Sequence, residues 1–341
     1  MKKVLIFGSG SIGNHMTNAC ISLGWKVYIT DKDPKALIRM KKEIYPSRYK
    51  KWNSKITQIE YNDIYSSKDK FDLIIIGTPP ETHYKIFSEC EKNFKFSKIL
   101  IEKPISNFDD KKIYRLGNYK KNFRIFCGYN HTVNPSLTYF FKILKSNKKN
   151  IQSVNINWRE GWNGILGAHP WLKNEFDSYL GNYKKGGGSI QEHSHGIHAL
   201  VCILNILKIK KYDLLDKSIF FKKKGNKQYD YFANMFLESK NIFFKYETDL
   251  ITFPPEKNIY IKLKNGYLRW ICNFKKGLDA VDFTIEGKSD LKIFKKNRSS
   301  EFINELIHID QIDSKKKYIK SRLNIYNALD TFKIIQNLLL K

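Results

Sequence analysis

The sequence predicts an α/β protein in two parts: an N-terminal doubly wound parallel sheet, then a C-terminal α+β domain with a largely antiparallel open sheet. Three observations carry this. Over the first 130 residues, short unbroken apolar runs alternate with helix-period segments. A glycine-rich turn joins the first run to the first helix. Beyond about residue 129 the pattern becomes a series of alternating strands linked by short polar turns. The 341 residues suit two domains of roughly 150 residues each, and 42% hydrophobic content supplies their cores.

The apolar runs at 4–7, 27–30, 56–61, 73–77, 99–101 and 124–128 read as strands buried on both faces. Helix patterns lie between them at 12–23, 34–44, 81–93 and 108–120. Asp33-Pro34 and Pro80-Glu81 are helix-start signals, a capping side chain before proline and a proline followed by an acid. Strand-helix alternation of this kind builds a parallel sheet. The second part, 129–341, opens with a helix at 135–147 and a strand at 152–159, and is loop-rich to Gly188. One helix follows at 189–205. Strands are then expected at 229–237, 242–248, 260–263, 267–273 and 280–285, with Ser239-Lys240-Asn241 and Asn265-Gly266 as turns, and helices at 299–311 and 322–340 close the chain.

Composition limits the function classes. No run of ~18 uncharged apolar residues occurs, and the apolar start at Val4 meets glycine too soon for a secretory h-region, so a soluble, cytoplasmic protein without membrane insertion is expected. Cys20, Cys90, Cys127, Cys202 and Cys272 are far apart with no CxxC pair, which fits a reducing compartment. The net charge of +28 raises nucleic acid as a partner, but only eight of the 61 basic residues are Arg. The lysine runs at 222–224 and 315–317 are short. Lys lacks the bidentate fork that reads guanine or clamps phosphate, so the excess reads as a solvated basic surface and no specific nucleic-acid partner is expected.

The sharpest motif is Gly8-Ser9-Gly10-Ser11-Ile12-Gly13, directly after the first strand and opening the first helix. Gly8 permits the tight turn, Gly10 lets a pyrophosphate approach the backbone, and Gly13 lets helix and strand pack closely. Asp31 follows at the end of the second strand, where a carboxylate accepts from ribose hydroxyls and repels a 2′-phosphate. That predicts a Rossmann dinucleotide-binding domain over 1–128 that takes NAD in preference to NADP, with Lys32 and Arg39 softening the preference. A glycine turn serving another nucleotide is the alternative. Two later strand ends also carry polar residues, Thr78-Pro79-Pro80-Glu81-Thr82-His83 and Glu102-Lys103-Pro104. The cofactor-side candidates are therefore Gly8, Gly10, Ser11, Ile12, Gly13, Asp31, Lys32, Thr78, Pro79, His83, Glu102 and Lys103.

Together, the glycine motif, Asp31, the Thr-Pro-x-x-x-His pattern and Glu102-Lys103-Pro104 resemble the glucose-fructose oxidoreductase / inositol dehydrogenase / MocA family. Gly128-Tyr129-Asn130 with Pro135, and Gly186-Gly187-Gly188 before a His-bearing helix, follow in the family's order. The resemblance implies a nicotinamide-dependent dehydrogenase or reductase acting on a hydroxyl or keto carbon of a sugar or nucleotide sugar. It also implies Lys103 as the proton-transfer residue and a substrate-binding and dimerisation domain over 129–341, whose open sheet makes a homodimer or homotetramer. The alternative from another class is a non-catalytic NAD-binding regulatory or scaffold protein of the same fold.

The chain departs from the family pattern in the His-bearing helix. An acidic residue is usually followed four positions later by His, but here Glu192 is followed by Gly196, with His195 one position early. Gln191-Glu192-His193-Ser194-His195 more closely resembles a Glu-x-Ser-His branch associated with surface-polysaccharide sugar pathways, as do His169-Pro170-Trp171 and Ser178-Tyr179. Helical spacing puts Glu192, His195 and His198 on one drifting stripe, with Ile190, Ile197, Leu200, Val201 and Leu204 on the buried side. His195 is the expected catalytic partner of Lys103, and His193 is expected to point elsewhere. Asn130, His131, Trp158, Arg159, His169, Trp171, Glu192 and His198 are the substrate candidates: the tryptophans to stack on a ring, Arg159 to pair with a carboxylate or phosphate. Thr132 stands where the family often has Arg. No metal is expected, because no HExxH pattern occurs and the family needs none.

Overall fold

The computed structural model describes residues 1–66, 69–313 and 321–340; the lysine run at 315–317 lies outside the described residues. The chain forms two compact units that interleave in sequence. The first holds Met1–Ser106, Asp110–Asn130 and Arg298–Leu329, and the second holds Asn107–Asp109, His131–Asn297 and Asp330–Lys341. A single cut after Gly128 therefore does not describe the packing, because residues 298–329 return to the first unit. Their apolar side chains, Phe302, Leu306 and Ile309, are buried.

In the first unit, β1 (Lys3–Phe7), β2 (Lys26–Thr30), β3 (Ile56–Gln58), β4 (Lys70–Ile76), β5 (Lys95–Ile101) and β6 (Ile125–Cys127) form one parallel sheet in the order β3-β2-β1-β4-β5-β6. The unbroken apolar runs are buried on both faces, as their sequence predicts: Val4 to Phe7 and Ile74 to Ile76 have no exposed surface. Helices α1 (Ser11–Ser22), α2 (Pro34–Arg39), α3 (Tyr45–Tyr49) and α4 (His83–Asn93) connect them. Asp33 caps α2 by accepting from Lys35 N at 3.0 Å. The strand order reverses between β1 and β4, which makes the carboxyl ends of those strands the ligand-binding crevice of such sheets.

Three first-unit elements differ from expectation. The strand at 56–61 is only three residues long, and α2 runs on through a π-turn at Met40–Ile44 into α3. The helix expected over 108–120 is a single 3₁₀ stretch, Lys111–Leu116. Only Ile113 and Leu116 are buried there, and a three-residue spacing is the one a 3₁₀ turn places on one side.

The second unit contains α5 (Pro135–Ser146), β7 (Ile151–Arg159), α6 (Trp162–Gly167), α7 (Ser189–Glu192) and α8 (Ser194–Leu207). Strands β8 (Asp213–Lys224), β9 (Lys227–Ser239), β10 (Ile242–Asp249), β11 (Glu256–Leu263), β12 (Gly266–Lys275), β13 (Leu278–Ile285) and β14 (Lys288–Lys295) follow. The eight strands run β14-β13-β12-β11-β7-β10-β9-β8, with every neighbouring pair antiparallel except β7 and β10. The two outermost strands, β8 and β14, were not expected from sequence. Both are mostly exposed edge strands rich in Lys, so their apolar alternation is weak. One sheet face carries the core, where Leu137, Phe140, Ile197, Leu200 and Leu204 meet Ile156, Met235, Tyr246, Ile259 and Trp270. Phe220, Phe243, Leu291 and Ile293 are exposed. Helices α9 (Arg298–Gln311) and α10 (Ile325–Leu339) end the chain.

The helix expected over 189–205 is interrupted. His193, with φ −93° and ψ 21°, separates α7 from α8. Among the described residues no helix is long and apolar enough to cross a membrane, and the five cysteines are free and buried.

Candidate active site

In the first unit, one row of backbone hydrogen bonds positions the candidate residues. At the carboxyl edge of the parallel sheet, the N–H groups of Gly8, Gly77, Glu102 and Gly128 donate to Thr30, Phe7, Ile76 and Ile101 respectively, each at 2.8–2.9 Å. The glycine turn, the Thr78 loop, Lys103 and Asn130 therefore all leave the sheet at one level.

Sterics explain the glycines. Gly8 has φ +100°, and a Cβ there would lie 2.7 Å from Gly77 O; a Cβ on Gly13 would lie 1.9 Å from Gly8 O. Gly10 differs, since a Cβ on it would meet nothing within 4 Å. The space is open where a pyrophosphate would approach, beside the first turn of α1, whose leading N–H groups have no intrahelical acceptor. Gly10 gives this helix no side-chain cap. Ser11 is buried and Ile12 half-buried at the same turn, and Lys32 is exposed.

Asp31 is anchored to the turn. Its Oδ2 accepts from Ser9 N at 2.7 Å and Ser9 Oγ at 2.9 Å, and Oδ1 accepts from Asp33 N at 2.9 Å. Ser9 was not singled out from sequence; its position between the two glycines, facing the acid at the end of β2, is the signal. Asn130 adds an orphaned acceptor: its Oδ1 is buried with no hydrogen-bond donor among the described residues. The open space at Gly10, the anchored Asp31 carboxylate and the Asn130 acceptor fit a dinucleotide's phosphates and hydroxyls.

His83, expected to contact cofactor, does not present its ring to a ligand. It is fully buried, with Nε2 2.8 Å from Thr78 O and Nδ1 3.1 Å from Ile105 O. Burial lowers its pKa to about 4, so the imidazole is neutral. It lies between the loops that carry Thr78 and Lys103, and its single N–H donates to one of the two carbonyls. Thr78 Oγ1 lies 2.7 Å from Thr82 Oγ1, Thr78 is half-buried and Pro79 is exposed. Lys103 is half-buried beside the buried Glu102, whose Oε2 accepts from Lys103 N at 3.3 Å.

The second unit holds the other candidate residues. Asp230 on β9 holds the glycine run and the start of α7: its Oδ2 accepts from Ser189 Oγ at 2.7 Å and Ile190 N at 2.8 Å. Gly188, at φ +86°, fits because a Cβ would lie 1.9 Å from Asp230 Oδ1. Burial raises the Asp230 pKa to about 7, against the hydrogen bonds from Ser189 and Ile190. A lone acid inside the 229–237 strand pattern was the sequence signal for this residue.

Glu192 and His195 are both half-buried, on either side of the break at His193. The His195 ring lies 4.6 Å from His131, edge to face, and stacks at 5.9 Å on Trp158. The absence of a side chain at 196 has a packing cause. A Cβ on Gly196 would lie 2.6 Å from Tyr246 Cε2 and 3.0 Å from Trp158 Cβ. Position 196 faces the sheet, and the neighbouring histidine at 195 is the one with exposed surface.

Three substrate candidates are corrected by their surroundings. His198 is fully buried, with Nδ1 3.0 Å from Thr331 Oγ1, so it faces the core and not a ligand. Trp158 is 1% exposed and stacks on Trp270, so it is a core residue supporting His195. Arg159 is surrounded by acids on the adjacent strands, paired to Glu247, 3.3 Å from Glu256 and 3.7 Å from Asp249. Its charge is spent within the sheet. His193 is buried, with Nε2 3.3 Å from Glu160 O. His131 is buried except for 5%, whereas His169 and Trp171 are half-buried and meet edge to face at 5.4 Å. Among the described residues no group of three or more His, Cys, Asp or Glu could hold a metal ion.

A doubly wound sheet with a glycine turn at its topological switch point and an acid at the end of β2 defines a nicotinamide-dinucleotide-binding protein. Residues 2–121 match the family model GFO_IDH_MocA, described as the oxidoreductase family's NAD-binding Rossmann fold. Over those residues the chain is similar to the NAD-binding Rossmann domain of that oxidoreductase family. No curated protein matches the sequence. Among solved structures, levoglucosan dehydrogenase in complex with NADH is 12% identical with a TM-score of 0.74, covering 99% of this chain and 95% of the other. KijD10, a 3-ketoreductase from Actinomadura kijaniata in complex with NADP and TDP-benzene, is 12% identical with a TM-score of 0.73, covering 99% and 96%. A dehydrogenase (MviM) from Clostridium difficile is 16% identical with a TM-score of 0.66, covering 98% of each chain. Identities this low establish a shared fold alone.

Proposed function

We propose that this protein is an NAD(H)-dependent dehydrogenase or reductase acting on a hydroxyl or keto carbon of a sugar or nucleotide sugar. The observation that carries the reading is the row at the sheet edge: Lys103 leaves β5 at the same level as the glycine turn that would hold the pyrophosphate. The bound nicotinamide supplies or accepts the hydride. Gly8, Gly10, Ser11, Ile12 and Gly13 form the phosphate turn, and Thr78 and Asn130 offer polar groups along the edge. Asp31, preset by Ser9, accepts from ribose hydroxyls and disfavours a 2′-phosphate, which supports NAD over NADP.

Lys103 takes the proton from the substrate hydroxyl in the oxidative direction and returns it in the reductive one. His195, with Glu192, serves as its partner, and the stack on Trp158 with the edge-to-face contact to His131 fixes the imidazole plane. His169 and Trp171 are the remaining ring- and hydroxyl-binding candidates. The fold shared with levoglucosan dehydrogenase and with the 3-ketoreductase supports the sugar class. The Glu192-His193-Ser194-His195 motif supports a place in surface-polysaccharide sugar synthesis. Exposed Phe220, Phe243, Leu291 and Ile293 on the strands of the second unit support assembly as a homodimer or homotetramer.

A panel of sugars and nucleotide sugars, screened by NADH absorbance, tests the reading with Lys103→Ala as control. The expected result is turnover on at least one panel member, lowered by on the order of 10²-fold in the variant while NADH affinity stays within a few-fold. Equal turnover in the variant, or NADH binding with no turnover on any member, would favour the non-catalytic alternative.

A further inference from the structure

Helix α1 carries an asparagine directly after the last glycine of the turn, at a position the glycine spacing does not explain. Asn14 has no exposed surface. Its Nδ2 donates to Gly10 O at 2.9 Å and to Ser9 O at 3.2 Å, and its backbone N–H also donates to Gly10 O, at 3.0 Å. Side chains on a helix lean toward its N-terminus, so residue 14 reaches carbonyls four and five positions earlier. Its Oδ1 is buried with no hydrogen-bond donor among the described residues. Turning the amide over would set that oxygen against two carbonyl oxygens, so the donors belong on the turn. Asparagine is a poor residue for a helix interior, and an orphaned buried acceptor is destabilising. Both penalties are accepted at the one place where two donors meet the glycine turn.

Peptide planarity gives those two bonds a consequence. The Ser9 carbonyl shares its plane with the N–H of Gly10, and the Gly10 carbonyl shares its plane with the N–H of Ser11. In a planar trans peptide the N–H points opposite to the C=O. With both carbonyls drawn onto Asn14, the two N–H groups are turned away from it. Beside them, a Cβ on Gly10 would meet nothing within 4 Å. Successive N–H groups on one side of a turn make an anion-binding concavity. The preceding peptide is fixed from β2, because Ser9 N and Ser9 Oγ donate to Asp31 Oδ2 at 2.7 and 2.9 Å. Two side chains, Asp31 and Asn14, therefore set three consecutive peptide planes in a stretch where glycine would otherwise leave the backbone free to rotate.

We propose that Asn14 is a positioning residue whose side-chain amide holds the Ser9 and Gly10 carbonyls inward, so that the N–H groups of Gly10 and Ser11 are preset for the diphosphate of the cofactor. The inference rests on the reading of the glycine turn as the cofactor's phosphate site. Presetting removes from binding the loss of backbone freedom that an untethered glycine turn would suffer when the diphosphate arrives. The effect belongs to the diphosphate alone, because the adenosine ribose is met by Asp31.

The test uses the full-length protein as wild type, Asn14→Leu and Asn14→Ser, with thermal unfolding to show that each variant is folded. Leucine keeps roughly the volume and removes both donors, whereas serine keeps one. NADH is titrated by fluorescence, and ADP-ribose and adenosine are measured by competition against it. NADH and ADP-ribose should weaken about tenfold in Asn14→Leu and about threefold in Asn14→Ser, as expected for losing two and one modest hydrogen bonds to the turn. Adenosine, which has no phosphate, should stay within about twofold in both. Adenosine weakened as much as ADP-ribose would overturn the inference, since a merely structural role moves both ligands together. ADP-ribose affinity within about twofold of wild type in folded Asn14→Leu would also overturn it. Should Asn14→Leu not fold, the ratio of ADP-ribose to adenosine in Asn14→Ser decides by the same rule. A wild-type protein that binds neither NADH nor ADP-ribose would instead overturn the cofactor reading.

Discussion

Adding one methyl group at Gly196 tests the explanation of why the histidine in this helix sits at 195. In the structure the new Cβ would lie 2.6 Å from Tyr246 Cε2 and 3.0 Å from Trp158 Cβ. Both neighbours are rigid: Tyr246 and Trp158 are each 1% exposed, and Trp158 is backed by Trp270 at 5.7 Å. Helix α8 would have to lift off the sheet by several tenths of an ångström, or two packed rings would have to leave their rotamers, and overpacking of this kind costs about 1–3 kcal/mol. For a unit of this size, that lowers the melting temperature by about 2–4 °C per kcal/mol. The assay is thermal unfolding of Gly196→Ala followed by near-UV circular dichroism, which reports Trp158 and Tyr246 directly. Gly196→His, which restores the family's commoner residue, should destabilise further and should not replace the function of His195. A Gly196→Ala protein as stable as wild type, with an unchanged aromatic signal, would refute the packing account and reopen position 196 as the site position.

The other variants separate binding, chemistry and stability. Asp31→Ala should weaken NAD(H) by roughly tenfold, from loss of charge-assisted hydrogen bonds, and narrow the preference over NADP(H); parallel fluorescence titrations with the two cofactors check both. Among the histidines, His195→Ala should slow the chemical step in single-turnover kinetics, whereas His198→Ala should act on stability through the loss of a buried ring and its Thr331 contact. A large kinetic loss at His198 with little at His195 would contradict that division. His83 sets an acid limit: between pH 6.5 and about 4 the unfolded imidazole binds a proton that the buried one does not, so stability falls as pH drops through that window. Urea titrations across pH 4–7 should show the wild type losing stability relative to His83→Asn as pH falls.

Sequence alone determined the features whose physics is local. A parallel sheet was legible because strands buried on both faces must be continuous apolar runs, as 73–77 and 99–101 are, and because Gly8, Gly10 and Gly13 answer to backbone sterics within a few residues of one another. Asp31 and Lys103 were legible for the same reason, each one or two residues past a strand end. Tertiary structure decided the rest. The edge strands β8 and β14 lacked a signal because a solvated edge needs no apolar face. Arg159 reads as an anion binder until the registers of β10 and β11 bring Glu247, Asp249 and Glu256 around it. His198 lies three residues after His195 in the same helix, yet packing buries the one ring against Thr331 and leaves the other half-exposed.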